Sequence, residues 1–215
     1  QIGNDIDGEA AGNRSGYSVS LSSDGNTVAI GAPLGANIAG HVRIYSFTNS
    51  SWVQIGQDID GNLNDESGSS LSLSCDGNII AIGSPHFNSP GVGSVRVYTY
   101  DGFSWNQLGQ DIDGITPSEY FGWSVSLSSD GSKLAIGGGE NGVGEEVRVY
   151  SINNPCNSNA CITVSIPGCT DSTALNYDPL ANTDDGSCCN NSLWNQIGQD
   201  IEGLSSSDDG GKAVA

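Results

Sequence analysis

The sequence predicts an all-β protein built from four-stranded antiparallel sheets, with one small cysteine-rich insertion. Three observations predict this class: an internal repeat, four short strand-like segments in each complete copy of it, and a composition rich in glycine. Of the 215 residues 31 are Gly, only 14% are charged and none is Met. Such a composition favours turns and strands over helices.

One octapeptide marks the start of each copy of the repeat, and it occurs four times with small variations. Its first copy is Gln-Ile-Gly-Asn-Asp-Ile-Asp-Gly, and the copies start at Gln1, Gln54, Gln107 and Gln196. The first two intervals are 53 residues and the third is 89, which indicates an insertion in the third interval. We therefore predict five segments. They are blade one at 1–53, blade two at 54–106, blade three at 107–151, a Cys-rich insertion at 152–193, and at 194–215 the start of a fourth repeat that completes blade three or an adjacent subunit.

Each complete copy contains four strand-like segments. In the first copy they cover 17–21, 27–30, 41–45 and 52–55, and they are rich in β-branched or aromatic residues. An Asp-Gly pair between the first two segments supplies the positive φ of a tight hairpin, so neighbouring segments are antiparallel. Four-stranded units with this period are typical of β-propeller blades, which bury their faces by stacking around an axis.

The segment from Ser15 to Pro33, followed by the strand 40–45, resembles the FG-GAP repeat of integrin α-chain propellers and related secreted proteins. The third copy keeps the literal Phe121-Gly122, and the first keeps Gly-Ala-Pro at 31–33. The resemblance spans about residues 1–151 and implies a propeller. Integrin-type blades often carry a calcium loop before the Gly-Ala-Pro strand. This sequence has only an Asp-Gly hairpin there, so the resemblance does not support calcium at that place.

Paired carboxylates recur in the octapeptide and are the candidate cation ligands. Alternate residues can direct two carboxylates to one side of a loop, but calcium takes about six to eight oxygen ligands. The alternative, which we favour, is that these Asp residues cap turns by accepting backbone N–H groups. The candidate calcium ligands are Asp58, Asp60, Asp111 and Asp113 in the blades, with Asp178, Asp184 and Asp185 in the insertion.

An arginine occupies one equivalent position in each blade. Arg43, Arg96 and Arg148 make up half of the six basic residues. We predict that each forms a salt bridge with a repeat Asp, within or between blades, because the guanidinium pairs well with carboxylates. Recognition of an anionic ligand is the alternative.

Tryptophan also recurs with the blades. Trp52, Trp105 and Trp194 each open the strand before the octapeptide, and Trp123 takes the place of Tyr17. Regular placement once per blade predicts packing in the core or between blades. Stacking on sugars is the alternative interpretation.

The insertion is dense in cysteine, which is typical of a disulfide-stapled module from an oxidising compartment. Its segment 168–188 is similar to a small motif found in large secreted and surface proteins of aquatic microbes, and we expect a Cys169–Cys188 bridge to close it. The insertion has five cysteines, an odd number, so one of them can pair with Cys75, cross-link another chain or stay free. For Cys75 itself we expect a buried thiol. The disulfide candidates are Cys156, Cys161, Cys169, Cys188 and Cys189.

The net charge and the lack of a long apolar stretch exclude some classes of binding partner. A net charge of −19 repels nucleic acids and anionic membranes, and no apolar stretch approaches the roughly 20 residues of a membrane span. We predict an extracellular or cell-surface protein that associates with itself, with other surface proteins or with glycans. The sequons at Asn13, Asn49 and Asn190 permit N-glycans in a eukaryotic secreted protein.

Signs of catalysis are few. Neither His41 nor His86 recurs beside a candidate nucleophile, and no nucleophile elbow is present. The sequence therefore predicts that the chain is not an enzyme, but a structural or adhesion repeat protein that can assemble head-to-tail into a surface filament or matrix. The alternatives are a carbohydrate-binding propeller module and part of a larger secreted hydrolase or lyase. Unrepeated His, Glu or Lys residues in the blade-top loops of a longer sequence would favour the hydrolase or lyase.

Overall fold

The structure, a computed structural model, describes residues 1–86, 91–139 and 146–152, with the backbone at 195–196 and 201–202. Over these residues it confirms an all-β, β-propeller-like array of antiparallel blades. Blade 1 contains β1 (Ser18–Leu21), β2 (Thr27–Ala32) and β3 (His41–Thr48), which are neighbours in that order. A short helix, α1 (Gly35–Ile38), lies between β2 and β3. No helix among the described residues is long and apolar enough to cross a membrane.

The outer strand of blade 1 is divided in two. Both β4 (Ser51–Gln54) and β5 (Ile59–Asp60) pair with the free edge of β3. The residues from Gln54 to Asp60 belong to the octapeptide of the second repeat, so each blade ends several residues beyond the repeat in which it begins.

Blades 2 and 3 repeat this arrangement. Blade 2 contains β6 (Ser70–Leu73), β7 (Ile79–Ser84), β8 (Ser94–Tyr100), β9 (Trp105–Gln107) and β10 (Ile112–Asp113). Blade 3 contains β11 (Ser124–Leu127), β12 (Lys133–Gly137), β13 (Glu146–Ser151), β14 (Asn195–Gln196) and β15 (Ile201–Glu202). Because β14 and β15 pair with β13, the insertion separates the third strand of blade 3 from its outer strand.

The hydrophobic core lies between neighbouring blades. One cluster joins blades 1 and 2, with Ile44 and Ile80 fully buried, and a second joins blades 2 and 3 around Ile79 and Phe121. Trp105 belongs to the first cluster and is only 2% exposed. Its indole N–H donates to the Ile55 carbonyl at 3.0 Å, which satisfies the polar atom that burial would otherwise leave unpaired. Trp105 therefore has the packing role predicted for the repeated tryptophans.

The same hydrogen bonds recur at both interfaces between blades. The Ser18 hydroxyl of blade 1 donates to the Gly68 carbonyl at 2.6 Å, and the Ser70 hydroxyl of blade 2 donates to the Gly122 carbonyl at 2.8 Å. Two further serine hydroxyls accept backbone N–H groups from the next blade, both at 2.9 Å: Ser20 from Leu73 and Ser72 from Leu127. The alternating serines of the inner strands therefore specify how blades stack.

Cys75 is exposed, so the prediction of a buried thiol is wrong. The residue lies in the hairpin turn after β6, where its N–H donates to the Ser129 carbonyl and its carbonyl accepts from the Ser23 N–H. Its Sγ lies 2.9 Å from the Ser23 hydroxyl. A hairpin turn lies at the rim of the blade, which leaves the thiol in contact with water. Residues 153–194, which include the five cysteines of the insertion, Asn190, Trp194 and the three candidate calcium ligands of the insertion, lie outside the described residues.

The hairpin turns predict a pH dependence of stability. Asp130 accepts the Ser128 hydroxyl at 2.6 Å and the Ser132 N–H at 3.0 Å, and these bonds lower the pKa of Asp130 from 3.8 to about 2. A folded-state pKa below the unfolded value stabilises the protein above pH 3.8, and this stabilisation is lost as the pH falls through about 2. Between pH 3.8 and about 2 the free energy of unfolding of the parent protein should fall. We expect this fall to be smaller in Asp130→Asn, measured by urea denaturation. Asp113→Asn, at an exposed strand end, is the control, and an unchanged pH profile in Asp130→Asn would contradict the prediction.

Candidate functional site

Two of the repeated arginines, Arg43 and Arg96, form partly buried ion pairs with a repeat Asp, which confirms the predicted salt bridges in blades 1 and 2. Arg43 donates from Nε and Nη2 to Asp58 Oδ2 at 3.0 and 2.9 Å, and Arg96 donates from Nε to Asp111 Oδ2 at 2.8 Å. Burial opposes the charged guanidinium of Arg43, but the carboxylates of Asp58 and Glu9 outweigh it and raise the pKa of Arg43. The Arg43 guanidinium is therefore a permanently charged part of the architecture.

Each of these arginines also meets a second acid, which the sequence analysis missed. Asp65 lies 3.2 Å from Arg96, and Glu119 lies 2.8 Å from Arg148, which also contacts Glu146. Both acids stand three residues before the Gly that precedes the inner strand of their blade. The second acid of blades 2 and 3 could therefore have been found from its constant spacing to that Gly. In the first copy the same position is held by Asn13, and Arg43 instead pairs with Glu9, which is half-exposed.

The structure does not bring the four predicted blade ligands for calcium together into one site. Asp58 and Asp111 pair with arginines, whereas Asp60 and Asp113 are exposed at strand ends. No three His, Cys, Asp or Glu side chains of the described residues lie close enough together to hold a metal ion. Calcium in the insertion stays a prediction. The sequons at Asn13 and Asn49 are half-buried and exposed, respectively, and Asn49 has a φ of 52° in the turn after β3.

The two faces of the array differ in how strictly they follow the repeat. We call the face that contains the β2–β3 loop, the described ends of the β7–β8 loop and the linkers before the inner strands the top face. The strand register places these segments at one end of each blade, because Ser18 pairs with Gly31 and Ala32 with His41. On the opposite face the Asp-Gly hairpins repeat closely. The top face carries the residues at which the repeat is broken.

Three equivalent positions of the top face show this departure. The residue after the strand-ending Pro is Leu34 in blade 1 and His86 in blade 2. The other two positions flank the Gly before the inner strand. Two residues before that Gly the copies have Arg14, Glu66 and Tyr120, and one residue after it they have Tyr17, Ser69 and Trp123. A repeated structural task would conserve chemistry at these positions, so their divergence indicates a local function.

The divergent residues of blades 2 and 3 meet in one cluster. His86 Nδ1 lies 3.3 Å from Glu66 Oε2, which is within ion-pair distance, although the two atoms do not form a hydrogen bond. The imidazole packs edge-on against Tyr120, with ring centroids 5.3 Å apart, and its centroid lies 6.5 Å from that of Trp123. The side chains of His86 and Glu66 are 37% and 28% exposed, so a ligand can reach both. We call these four residues the top-face cluster.

Unusual backbone geometry positions the cluster. Glu66 and Tyr120 both have left-handed backbones, with φ of 52° and 50°, a region that residues other than Gly seldom adopt. The interfaces between blades hold them there, because the Glu66 N–H donates to the Ile38 carbonyl and the Tyr120 N–H to the Gly91 carbonyl. Arg14, at the equivalent position of blade 1, has a φ of 57°, so this conformation is a repeated feature of the linker before each inner strand. The cluster therefore depends on the stacking of blades.

A histidine paired with a carboxylate can act as a general base. The carboxylate fixes the orientation of the imidazole and stabilises its protonated form, while the second ring nitrogen can take a proton from water. The two aromatic rings supply an apolar wall with polar tips. The sequence analysis missed this pairing because His86 and Glu66 are 20 residues apart along the chain and meet only in the fold.

Fold and top-face cluster together define a β-propeller-like protein with a candidate acid–base site. No protein-family model matches the chain, and no curated protein matches it. Among solved structures, the chain is similar to that of a proposed 6-phosphogluconolactonase from Bacteroides fragilis, with 14% sequence identity and a TM-score of 0.49. The match covers 91% of this chain and 40% of that protein, so this chain spans less than half of its length.

The comparison contradicts two predictions made from the sequence. A non-catalytic structural or adhesion protein was expected, whereas the similar structure is that of a protein named as an enzyme. The expectation of no enzyme was therefore wrong, and so was the head-to-tail filament. The expectation of no enzyme rested on the absence of a nucleophile beside a histidine along the chain. That observation considers only groups that are close along the chain, whereas His86 and Glu66 come from separate segments that the fold brings together.

Proposed function

We propose that the chain is the catalytic part of a hydrolytic β-propeller enzyme that acts at the top-face cluster. The observation that carries the proposal is the 3.3 Å pair of His86 Nδ1 and Glu66 Oε2 beside two aromatic rings, at positions where the repeat is broken. In this role His86 is the general base, Glu66 stabilises its protonated form, and Tyr120 and Trp123 bind the substrate.

The reaction that fits these groups is hydrolysis of an ester or lactone. Nδ1 of His86 faces Glu66, which leaves Nε2 to remove a proton from a water molecule. The water oxygen forms a bond to the acyl carbon, and the bond from that carbon to the leaving oxygen breaks. The protonated imidazole then returns its proton to the leaving oxygen. Glu66 stabilises the positive charge that the imidazole carries between the two proton transfers.

Charge favours an uncharged substrate for this site. Arg43, Arg96 and Arg148 each form ion pairs with carboxylates, and the cluster itself contributes the carboxylate of Glu66. The net charge of the chain is −19, which lowers the local concentration of anions. We therefore expect neutral sugar lactones and esters to be better substrates than 6-phosphogluconolactone.

The test is a hydrolysis assay with a panel of p-nitrophenyl esters, neutral sugar lactones and 6-phosphogluconolactone. We expect His86→Gln to lower kcat/KM by about 10²- to 10⁴-fold, the usual contribution of a general base, and Glu66→Gln to lower it by roughly tenfold or more. His41→Gln, the other histidine, is the control, and thermal denaturation establishes that each variant is folded. Unchanged activity in folded His86→Gln, or binding without turnover across the panel, would refute the catalytic proposal.

We also propose that the blades are of the FG-GAP type and that the protein is extracellular. The Phe121-Gly122 pair and the cysteine density of the insertion support this. Phe121 is fully buried, and the guanidinium of Arg148 lies 4.7 Å from the centre of its ring, so this residue has a structural task in the blade. Mass spectrometry of the native protein under non-reducing conditions tests the location. Fully reduced cysteines throughout the insertion would argue against it.

A further inference from the structure

Two equivalent loop residues lie on either side of the top-face cluster. Ile38 is in the β2–β3 loop of blade 1, and Gly91 is in the β7–β8 loop of blade 2. The Ile38 carbonyl accepts the Glu66 N–H at 3.2 Å, and the Gly91 carbonyl accepts the Tyr120 N–H at 2.9 Å. Both loop residues have left-handed backbones, with φ of 67° and 81°. The two junctions between blades therefore share a backbone arrangement here and differ in their side chains.

The bridges two residues further along these loops have the same form at both junctions. Gly40 forms a parallel bridge with Ser67, and Gly93 forms one with Phe121. The backbone fixes the direction of a Cβ atom, so matched backbones direct the Cβ of Ile38 and a Cβ added at the other junction alike.

Gly91 is the surface against which Tyr120 packs. A Cβ added at Gly91 would lie 2.6 Å from Cε1 and 2.9 Å from Cδ1 of the Tyr120 ring. The ring therefore occupies the space that a side chain on Gly91 would need. From there it packs edge-on against His86, with ring centroids 5.3 Å apart. Tyr120 thus turns back from the linker of blade 3 onto blade 2.

Ile38 occupies the corresponding space at the junction of blades 1 and 2. Its Cβ is directed to the place that the Tyr120 ring takes at the other junction, and the residue is 45% exposed. Glu66, the equivalent of Tyr120, cannot turn back over an isoleucine as Tyr120 does over a glycine. Its carboxylate lies instead beside the imidazole of its own blade, with Oε2 3.3 Å from His86 Nδ1.

We propose that Ile38 and Gly91 are the positioning residues of the top-face cluster. Ile38 directs Glu66 onto the imidazole of His86 from one side, and the bare Gly91 admits Tyr120 from the other. One position of the linker thereby supplies an acid at one junction and an aromatic ring at the next, and both reach the same histidine. The kinetic consequences rest on the proposed function, whereas the geometry does not.

Substitution Ile38→Gly tests the role of Ile38. Glycine adopts a φ of 67° without strain, so the backbone contacts of the loop should be kept. Glu66 should then spend less time beside His86. We expect kcat for the best ester or lactone to fall toward that of Glu66→Gln, by roughly tenfold or less, with little change in KM, because the two aromatic rings still bind the substrate.

The reactivity of His86 toward diethyl pyrocarbonate is a measurement that needs no turnover. The chain has two histidines, and His41 is only 4% exposed, so modification reports on His86. At about pH 6 we expect Glu66→Gln to react about threefold faster or more, because the carboxylate stabilises the protonated, unreactive imidazole. Ile38→Gly should also react faster. Combining it with Glu66→Gln should have no further effect, since both changes act through one carboxylate.

Two variants control for the change of backbone and of side-chain size. Ile38→Val keeps the branched Cβ and should restore the parent rate of modification. Asn49→Gly puts glycine at another left-handed position, with a φ of 52°, in the turn after β3, and should leave the rate unchanged. If folded Ile38→Gly reacts like the parent, or if its effect adds to that of Glu66→Gln, charge attraction alone holds Glu66 at His86, and the proposal is overturned.

Substitution Gly91→Ala tests the role of Gly91 and covers the case in which Ile38→Gly fails to fold. The added Cβ should displace the Tyr120 ring, which raises KM more than it lowers kcat and opens His86 to the reagent. Adding Tyr120→Ala should then have no further effect on the rate of modification. Unchanged reactivity in folded Gly91→Ala would overturn this role. A lack of turnover across the substrate panel would refute the proposed function alone, because the modification rates do not depend on it.

Discussion

Replacing Glu119 with Ala is expected to lower the free energy of unfolding by about 3–5 kcal/mol, because it breaks a buried ion pair from one side. Glu119 is fully buried, and its Oε2 accepts the backbone N–H groups of Ile115 and Thr116 at 2.6 and 2.8 Å. Its other oxygen lies 2.8 Å from Arg148, which is also buried. The substitution removes one counter-charge of the guanidinium and leaves two amides without their acceptor.

The matched control is Glu9→Ala. Glu9 pairs with Arg43 as Glu119 pairs with Arg148, but its side chain is 50% exposed. Water and salt screen such a pair, so we expect a loss of at most about 1 kcal/mol. Urea denaturation of both variants measures the difference. Equal losses would contradict the view that burial, and not the charge pair itself, makes Glu119 important.

Replacing Gly93 with Ala is expected to cost at least about 3 kcal/mol, since it combines backbone strain with overpacking. Gly93 has a φ of 82°, and an added Cβ would lie 2.2 Å from both the N and the O of Phe121 in the next blade. These are backbone atoms of the bridge between Gly93 and Phe121, so no side-chain rotation can relieve the contact. The blades would have to separate. Because Tyr120 adjoins this contact, the geometry of the top-face cluster should change as well.

The variant Gly102→Ala separates the cost of backbone strain from the cost of overpacking. Gly102 also has a positive φ, 97°, but no atom lies within 4 Å of its added Cβ. We therefore expect only the conformational cost, about 1 kcal/mol. Thermal and urea denaturation of the two variants give the contribution of close blade contact by difference. A Gly93→Ala variant as stable as Gly102→Ala would show that the blades can adjust their spacing.

The local features of the blade were predictable because they depend on neighbours in sequence. The Asp-Gly hairpins and the alternating strand residues act within a few positions of one another, and the strands formed where these patterns predicted them. Arg43 and Asp58 are 15 residues apart and belong to a repeated pattern, so their pairing could also be anticipated. Repetition supplied the information that an alignment of related sequences would otherwise provide.

The candidate site was not predictable in the same way. His86 and Glu66 come from the loop of blade 2 and from the linker before it, and the aromatic wall comes from the linker before blade 3. Their proximity depends on stacking two blades and on left-handed backbones at Glu66 and Tyr120. Cys75 was misjudged for a related reason, since burial depends on where a turn lies in the fold and not on residue type.

By itself, the sequence determined the repeat, the antiparallel blade, its turns and the paired arginines. These follow from period, turn chemistry and charge, which are properties of short segments. Only the tertiary structure decided that the octapeptide completes the preceding blade, that Glu119 is buried, and that the unrepeated residues of the top face meet. Contacts between blades join residues from different linkers and loops, and their geometry comes from packing many side chains at once. No local pattern encodes the outcome of that packing.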